Sequence, residues 1–193
     1  MKKILAFAGS NSPRSINHQL VSYASSLLKE NPTTIISLRD FEMPVFGIEI
    51  LENEGAHEFA FSLRKLIAAH DAFIISVNEH NQSVSAVFKN TLDWISKAGN
   101  DYNVFNGKAV LLLGAAPGMG GAKRAIAHAE AIIDELKGKV VGKFSLPQFH
   151  KNVQMNEEGF QIKDESINLL LHQLIRNFEK QLQEDLIKTA LKN

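Results

Sequence analysis

The chain predicts an α/β fold in which a parallel sheet is covered by helices on both faces, and three observations carry that prediction. Short apolar or β-branched runs alternate five times with stretches of helical periodicity. The runs are continuously hydrophobic, the pattern of strands buried on both sides. Polar, amide- or glycine-rich loops follow the first, third and fourth runs, and sheets of this kind bind ligands at the carboxyl ends of strands near the topological switch.

The elements follow in order. Ile4–Ala8 is an apolar run that ends at Gly9, and residues 17–28 then carry Leu20, Val21, Ala24, Leu27 and Leu28 at helical spacing. Residues 33–38 form a β-branched strand, followed by a loop around Met43 and Pro44 and a helical stretch over 56–70. Ala72–Val77 is the third strand, and residues 84–97 read as a helix. The fourth strand covers 109–114, an alanine-rich helix covers 123–136, and 140–144 supplies the fifth strand. A turn at 156–159 separates two short extended pieces. A long helix then places Ile167, Leu170, Leu171, Leu174, Ile175, Phe178 and Leu182 on one face, suited to covering the sheet.

Composition bounds the function. With 193 residues, 45% hydrophobic and 22% charged, the chain is long enough for one domain spanning 1–193 with a sizeable core. Lys plus Arg and Asp plus Glu are 21 each, so no net field favours nucleic acid or an anionic membrane. Cysteine is absent, which excludes disulfides, thiolate metal sites, iron–sulfur clusters and thiol nucleophiles. The N-terminal apolar run is too short for a secretion signal or a membrane span, so a cytoplasmic location is expected.

Three loops hold candidate chemistry. The first, from Gly9 to Asn17, has one glycine and many hydroxyl and amide groups, which suits a terminal monophosphate better than a dinucleotide. Ser10, Ser15 and Asn17 offer hydrogen bonds to phosphate oxygens, the helix start adds backbone N–H groups, and Arg14 offers charge. The plain alternative is that Ser15 only caps the helix. The second loop leaves strand three through Asn78, Glu79, His80, Asn81 and Gln82, a cluster able to line the edge of a planar heteroaromatic ring. No second ligand stands at metal-binding spacing from His80, so no metal is expected. Phe88 and Trp94 on the next helix read as core or subunit-interface residues. The third loop, 114–124, contains Gly114, Gly118, Gly120 and Gly121 but matches neither a P-loop nor G-x-G-x-x-G. Its alternative is a flexible turn without a ligand.

Together these loops resemble the NAD(P)H-dependent FMN reductase family, which includes quinone, chromate and azo-dye reductases on the flavodoxin-like fold. The resemblance runs from Lys3 to about Phe149. Gly9, Ser10, Ser15 and Asn17 match the family's G-S-x-R-x-x-S-x-N, with Ser12 at the Arg position and Arg14 nearby as its replacement. Glu79, Asn81, Ser83, Lys89, Asn90, Asp93 and Trp94 match P-E-Y-N-G-S-x-P-G-x-L-K-N-A-I-D-W. Asn78, His80, Gln82, Ser85 and Ala86 depart from it. Gly118, Gly120, Gly121 and Arg124 loosely match a third, glycine-rich motif.

The resemblance implies a sheet of strand order 2-1-3-4-5 and an FMN site. Ser10, Arg14, Ser15, Ile16 and Asn17 would hold the phosphate, Asn78, Glu79, His80, Asn81 and Gln82 the ring edge, and Ala116, Pro117 and Gly118 would be ring neighbours. It also implies NADPH or NADH as electron donor, a small-molecule acceptor, no protein catalytic residue because flavin N5 carries the chemistry, and a homodimer or homotetramer with the 89–94 helix at an interface. Two other readings stand beside it. One is a flavodoxin-type electron carrier, disfavoured by the balanced charge. The other is a flavin-free regulatory module on the same fold.

Overall fold

In the five main strands, neighbouring residues point to opposite sides of the sheet, and in the three central strands both sides are buried, while the two edge strands are partly exposed. The computed structural model describes residues 1–99, 101–157 and 159–190. β1 (Ile4–Ala8), β2 (Thr33–Ser37), β3 (Ala72–Val77), β6 (Ala109–Ala115) and β7 (Lys139–Leu146) form one sheet in the order β2-β1-β3-β6-β7. Each adjacent pair is parallel. The expected order 2-1-3-4-5 is therefore observed, with the switch between β1 and β3.

The helices are α1 (Ile16–Ser26), α2 (Ile48–Glu54), α3 (Glu58–Ala69), α4 (Ala86–Lys97), α5 (Lys123–Glu135), α6 (Phe149–Asn152) and α7 (Glu165–Ala190), with a 3-10 turn at Leu38–Phe41. On one sheet face Leu5, Phe7, Phe73, Ile75, Val110 and Leu112 pack with Leu63, Phe88, Leu92 and Ile126 from α3, α4 and α5. On the other, Ile4, Ala6, Ile74, Leu111 and Leu113 pack with Leu20 and Val21 of α1 and Leu171, Ile175 and Phe178 of α7. The period-2 strand pattern meets the 3.6-residue helix stripe twice, and this makes the three layers. Phe88 and Trp94 are core residues, at 0% and 1% exposure.

Two expectations change and a third is borne out. The loop after β2 contains a short helix, α2, whose seven residues include three glutamates and no fully buried side chain, so its sequence carries no strong apolar period. The helix expected from residue 84 begins at Ala86, because Ser85 caps it by accepting from the Phe88 N–H at 3.1 Å. The residues before it form a hairpin, β4 (Glu79–His80) with β5 (Ser83–Val84). The extended pieces flanking the 156–159 turn are β8 (Val153–Asn156) and β9 (Gly159–Ile162), paired antiparallel.

Candidate functional site

The loops after β1, β3 and β6 converge at the carboxyl end of the sheet. Gly9 N–H donates to Ser76 O at 2.8 Å, and the Ser85 hydroxyl donates to Gly9 O at 2.6 Å, so the first loop leaves the sheet held from both sides. A Cβ at Gly9 would stand 3.0 Å from the Phe88 ring, which is why this position is glycine.

Beyond Gly9, three serines are arranged in series. Ser10 Oγ accepts from Ser12 N–H at 3.2 Å, Ser12 Oγ from Arg14 N–H at 3.2 Å, and Ser15 Oγ from His18 N–H at 3.1 Å. Each oxygen is fixed by an acceptor bond, and the hydroxyl proton stays available to a ligand oxygen. Ser15 therefore does cap α1, and it does so without giving up its donor. With His18 N–H taken, Ile16 and Asn17 present the N–H groups of the first helical turn, where the dipole favours an anion. Arg14 is exposed and forms no ion pair with a carboxylate among the described residues.

Asn17 departs from its expected role. Its side chain is 1% exposed and fully bonded inside the protein. Oδ1 accepts from Ser76 Oγ and Ala115 N–H, both at 2.8 Å, and Nδ2 donates to Ala115 O at 3.0 Å. The carboxamide bolts α1 to the ends of β3 and β6, and only the backbone N–H of Asn17 remains open at the helix start. Nothing in the one-dimensional pattern separates these roles, since both want an amide two residues past Ser15.

In the second loop, Glu79 is also committed. Its Oε2 accepts from Arg124 N–H at 3.1 Å and Ala125 N–H at 3.3 Å, the second and third residues of α5. The N-cap of that helix is Ala122, with no side-chain acceptor, so Glu79 supplies the missing cap from another loop. A carboxylate so placed contributes position rather than a donor at a ring edge. Ser83 Oγ lies 3.0 Å from His128 Nδ1, a second tie between hairpin and α5. Asn81 and Gln82 turn the hairpin with φ of 49° and 67°, and both are exposed, as is His80. Asn78 Nδ2 lies 3.0 Å from His80 Nε2, while Asn78 Oδ1 is buried without a partner.

The third loop presents backbone. Ala116 is half-buried, Pro117 and Gly118 are exposed, and the space a Cβ would enter at Gly118 and Gly120 is open. The loop is anchored from below, as Gly118 O accepts from Gln148 N–H and Ala116 O from Phe149 N–H, at 2.9 and 3.1 Å. Gly121 has φ of 59° and the Pro147 backbone 3.0 Å from where a Cβ would lie, so no other residue fits.

A cleft of about 220 Å³ adjoins the first loop, lined by Asn11, Phe41, Met43, Val45, Val87 and Asn90 among others. Its outer wall is held by α4. Asn90 Oδ1 accepts from Phe46 N–H at 2.7 Å, Asn90 Nδ2 donates to Pro44 O at 3.0 Å, and Trp94 Nε1 donates to Pro44 O at 2.8 Å. These contacts explain two motif residues that have no ligand role of their own. Among the described residues no three His, Asp or Glu side chains gather to hold a metal ion.

A fit to FMN rests on these features together: serine hydroxyls with free protons at a helix start, amides on the second loop, and open backbone on the third. A sequence profile described as NADPH-dependent FMN reductase matches residues 2–151. The chain is 29% identical over 177 residues to the NADH:(hydroxy)cinnamate reductase subunit CrdA of Vibrio ruber, covering 90% of this chain and 84% of that protein. It is 33% identical over 131 residues to an NAD(P)H-dependent FMN reductase of Pseudomonas aeruginosa, covering 65% of this chain and 66% of the relative. A quinone reductase of Escherichia coli is 28% identical over 116 residues, with 60% of this chain and 59% of the relative covered. Among solved structures, the flavoenzyme NAD(P)H:(acceptor) oxidoreductase FerB from Paracoccus denitrificans superposes with a TM-score of 0.75 at 22% identity, covering 95% of this chain and 98% of that one.

Proposed function

The chain belongs to the NADPH-dependent FMN reductase family, and from that premise we propose that it binds FMN, takes reducing equivalents from NADPH or NADH, and passes them to small acceptors. Quinone-like, azo and flavin acceptors are the classes in view, since the cleft beside the first loop is narrow and largely apolar. The observation that carries the reading is the series Ser10, Ser12 and Ser15, three fixed oxygens with free protons beside the N–H groups of Ile16 and Asn17.

The protein's part is binding and placement. The serines, the helix start and Arg14 hold the phosphate. The second loop, from Asn78 to Gln82, borders the ring edge, and Ala116, Pro117 and Gly118 flank the ring with backbone. Bound there, FMN supplies the acceptance of hydride from the nicotinamide and its onward transfer as hydride or single electrons. Glu79 acts at one remove, by joining the hairpin to α5.

The assembly we infer is a homodimer or homotetramer, supported by a groove of about 340 Å³ between α4 and α5 whose walls include Leu92, Ile132 and Leu136. A cytoplasmic location is in keeping with the absence of cysteine, and among the described residues no helix is long and apolar enough to cross a membrane. Nucleic acid and membrane partners find no net charge to favour them in a chain with balanced charge.

The test is to add FMN to the purified protein, desalt it, record the absorbance spectrum, and add NADPH or NADH without oxygen. Retained flavin that bleaches supports the reductase, and Ser10→Ala or Ser15→Ala then weakens retention. Retained flavin that neither nucleotide bleaches indicates an electron carrier. A colourless protein removes the function and leaves the fold.

A further inference from the structure

Two-electron reduction of a quinone consumes a hydride, which NAD(P)H furnishes, and a proton, and it yields the hydroquinone and NAD(P)+. Water or the protein has to deliver that proton. The inference below rests on the reductase reading and concerns the proton alone.

His80 is an exposed imidazole on the hairpin that leaves the carboxyl end of β3. Its Nε2 lies 3.0 Å from Asn78 Nδ2. An amide nitrogen only donates, so in this arrangement Nε2 presents its lone pair and the ring proton sits on Nδ1. The other half of the same amide, Asn78 Oδ1, is buried and has no partner. A half-turn of the Asn78 amide brings Oδ1 to Nε2 and accommodates a ring protonated on both nitrogens. The pair thus holds the imidazole in one place in either protonation state, which a group that loses and regains a proton in each cycle requires.

The support is rigid. Glu79 and Ser83 fasten the two strands of the hairpin to α5, and the left-handed turn at Asn81 and Gln82 closes it. The ionisable groups nearby are Glu79, whose carboxylate is turned to the α5 amides, and Lys123, Arg124 and His128 on α5 itself.

We propose that His80 is the proton donor for acceptors whose reduction consumes a proton, and that Asn78 is its positioning residue. The structure assigns to this pair a division of acceptors by proton demand. Quinones need the imidazole, and one-electron acceptors such as ferricyanide do not.

The experiment compares wild-type, His80→Gln and Asn78→Ala holoenzymes with a simple naphthoquinone and with ferricyanide across pH. In His80→Gln the ratio of naphthoquinone to ferricyanide turnover falls at least about a hundredfold, the low end of what general acid catalysis contributes. The fall in naphthoquinone turnover toward alkaline pH, where a proton donor is emptied, disappears with it. Independently of turnover, nitrogen NMR of the wild-type imidazoles shows the neutral His80 ring held as the Nδ1–H tautomer, and Asn78→Ala converts that ring to the mixed-tautomer pattern. An unchanged ratio in His80→Gln, or a His80 ring that Asn78→Ala leaves unaltered, overturns the proposal while the reductase reading stands. A wild-type protein that retains no flavin and reduces neither acceptor removes that reading and the proposal with it.

Discussion

The Asn17 carboxamide accepts a 2.8 Å hydrogen bond from the Ser76 hydroxyl, joining residues 59 apart in the chain, and it bonds both backbone groups of Ala115 as a further strand would. Asn17→Ala leaves Ser76 Oγ and the Ala115 N–H and C=O unpaired in a site that is 1% exposed at residue 17. An unpaired buried polar group costs about 1–3 kcal/mol, so the variant should lose about 2–5 kcal/mol of stability in urea unfolding. A loss well below 1 kcal/mol would show that water replaces the carboxamide there.

Glu79 and α5 give a second expectation. Glu79→Ala removes the acceptor for two first-turn N–H groups of a helix whose own N-cap is Ala122. Loss of a cap costs about 0.5–2 kcal/mol. Because the hairpin is released at the same time, FMN affinity measured by fluorescence quenching should weaken more in Glu79→Ala than in Glu79→Gln, whose amide oxygen can still accept. Equal affinities in the two variants would separate the cap from the site.

The strands and their order were legible because both signals that specify them are local: continuous apolar runs, and polar loops after runs one, three and four. Ala72–Val77 matches its expected bounds to the residue. What escaped was decided by distant partners. α2 buries no side chain completely, and its pattern was invisible for that reason. Asn17 and Glu79 look like ligand-binding residues in the sequence, and only the approach of β6 and α5 shows that their side chains are occupied. Asn90 and Trp94 stood in the most specific motif with no chemistry to explain them, until the 43–46 loop was seen resting on them.

Asp164 contributes stability that acid removes. Its Oδ1 accepts from Ser166 N–H at 2.9 Å, the Ser166 hydroxyl at 2.5 Å and Ile167 N–H at 3.1 Å, and these bonds at the start of α7, the side-chain one foremost, lower its pKa from the usual 3.8. Between that lowered value and 3.8 the unfolded chain binds the proton that the folded chain refuses. The contribution is present above 3.8 and is lost as pH falls through the folded-state value. The gap in urea midpoint between wild type and Asp164→Ala should therefore narrow in strong acid relative to neutral pH, and a constant gap would assign the bonds no net role.

Gln82 holds a left-handed conformation, φ 67°, at the tip of the ring-edge hairpin, and it does so without glycine's freedom. Such a conformation costs a residue with a Cβ about 1–2 kcal/mol, of which the greater chain entropy of unfolded glycine offsets about 0.5–1 kcal/mol. Gln82→Gly should leave stability unchanged or raise it by up to about 1 kcal/mol. Strain kept at an exposed turn points to a task for the side chain, and on the proposed reading the amide at the tip would be a donor and acceptor for the flavin edge. The same substitution should then weaken FMN binding while Tm holds or rises. A variant that is both more stable and equally tight would show that the glutamine amide does not read the ring, and that the bend alone matters there.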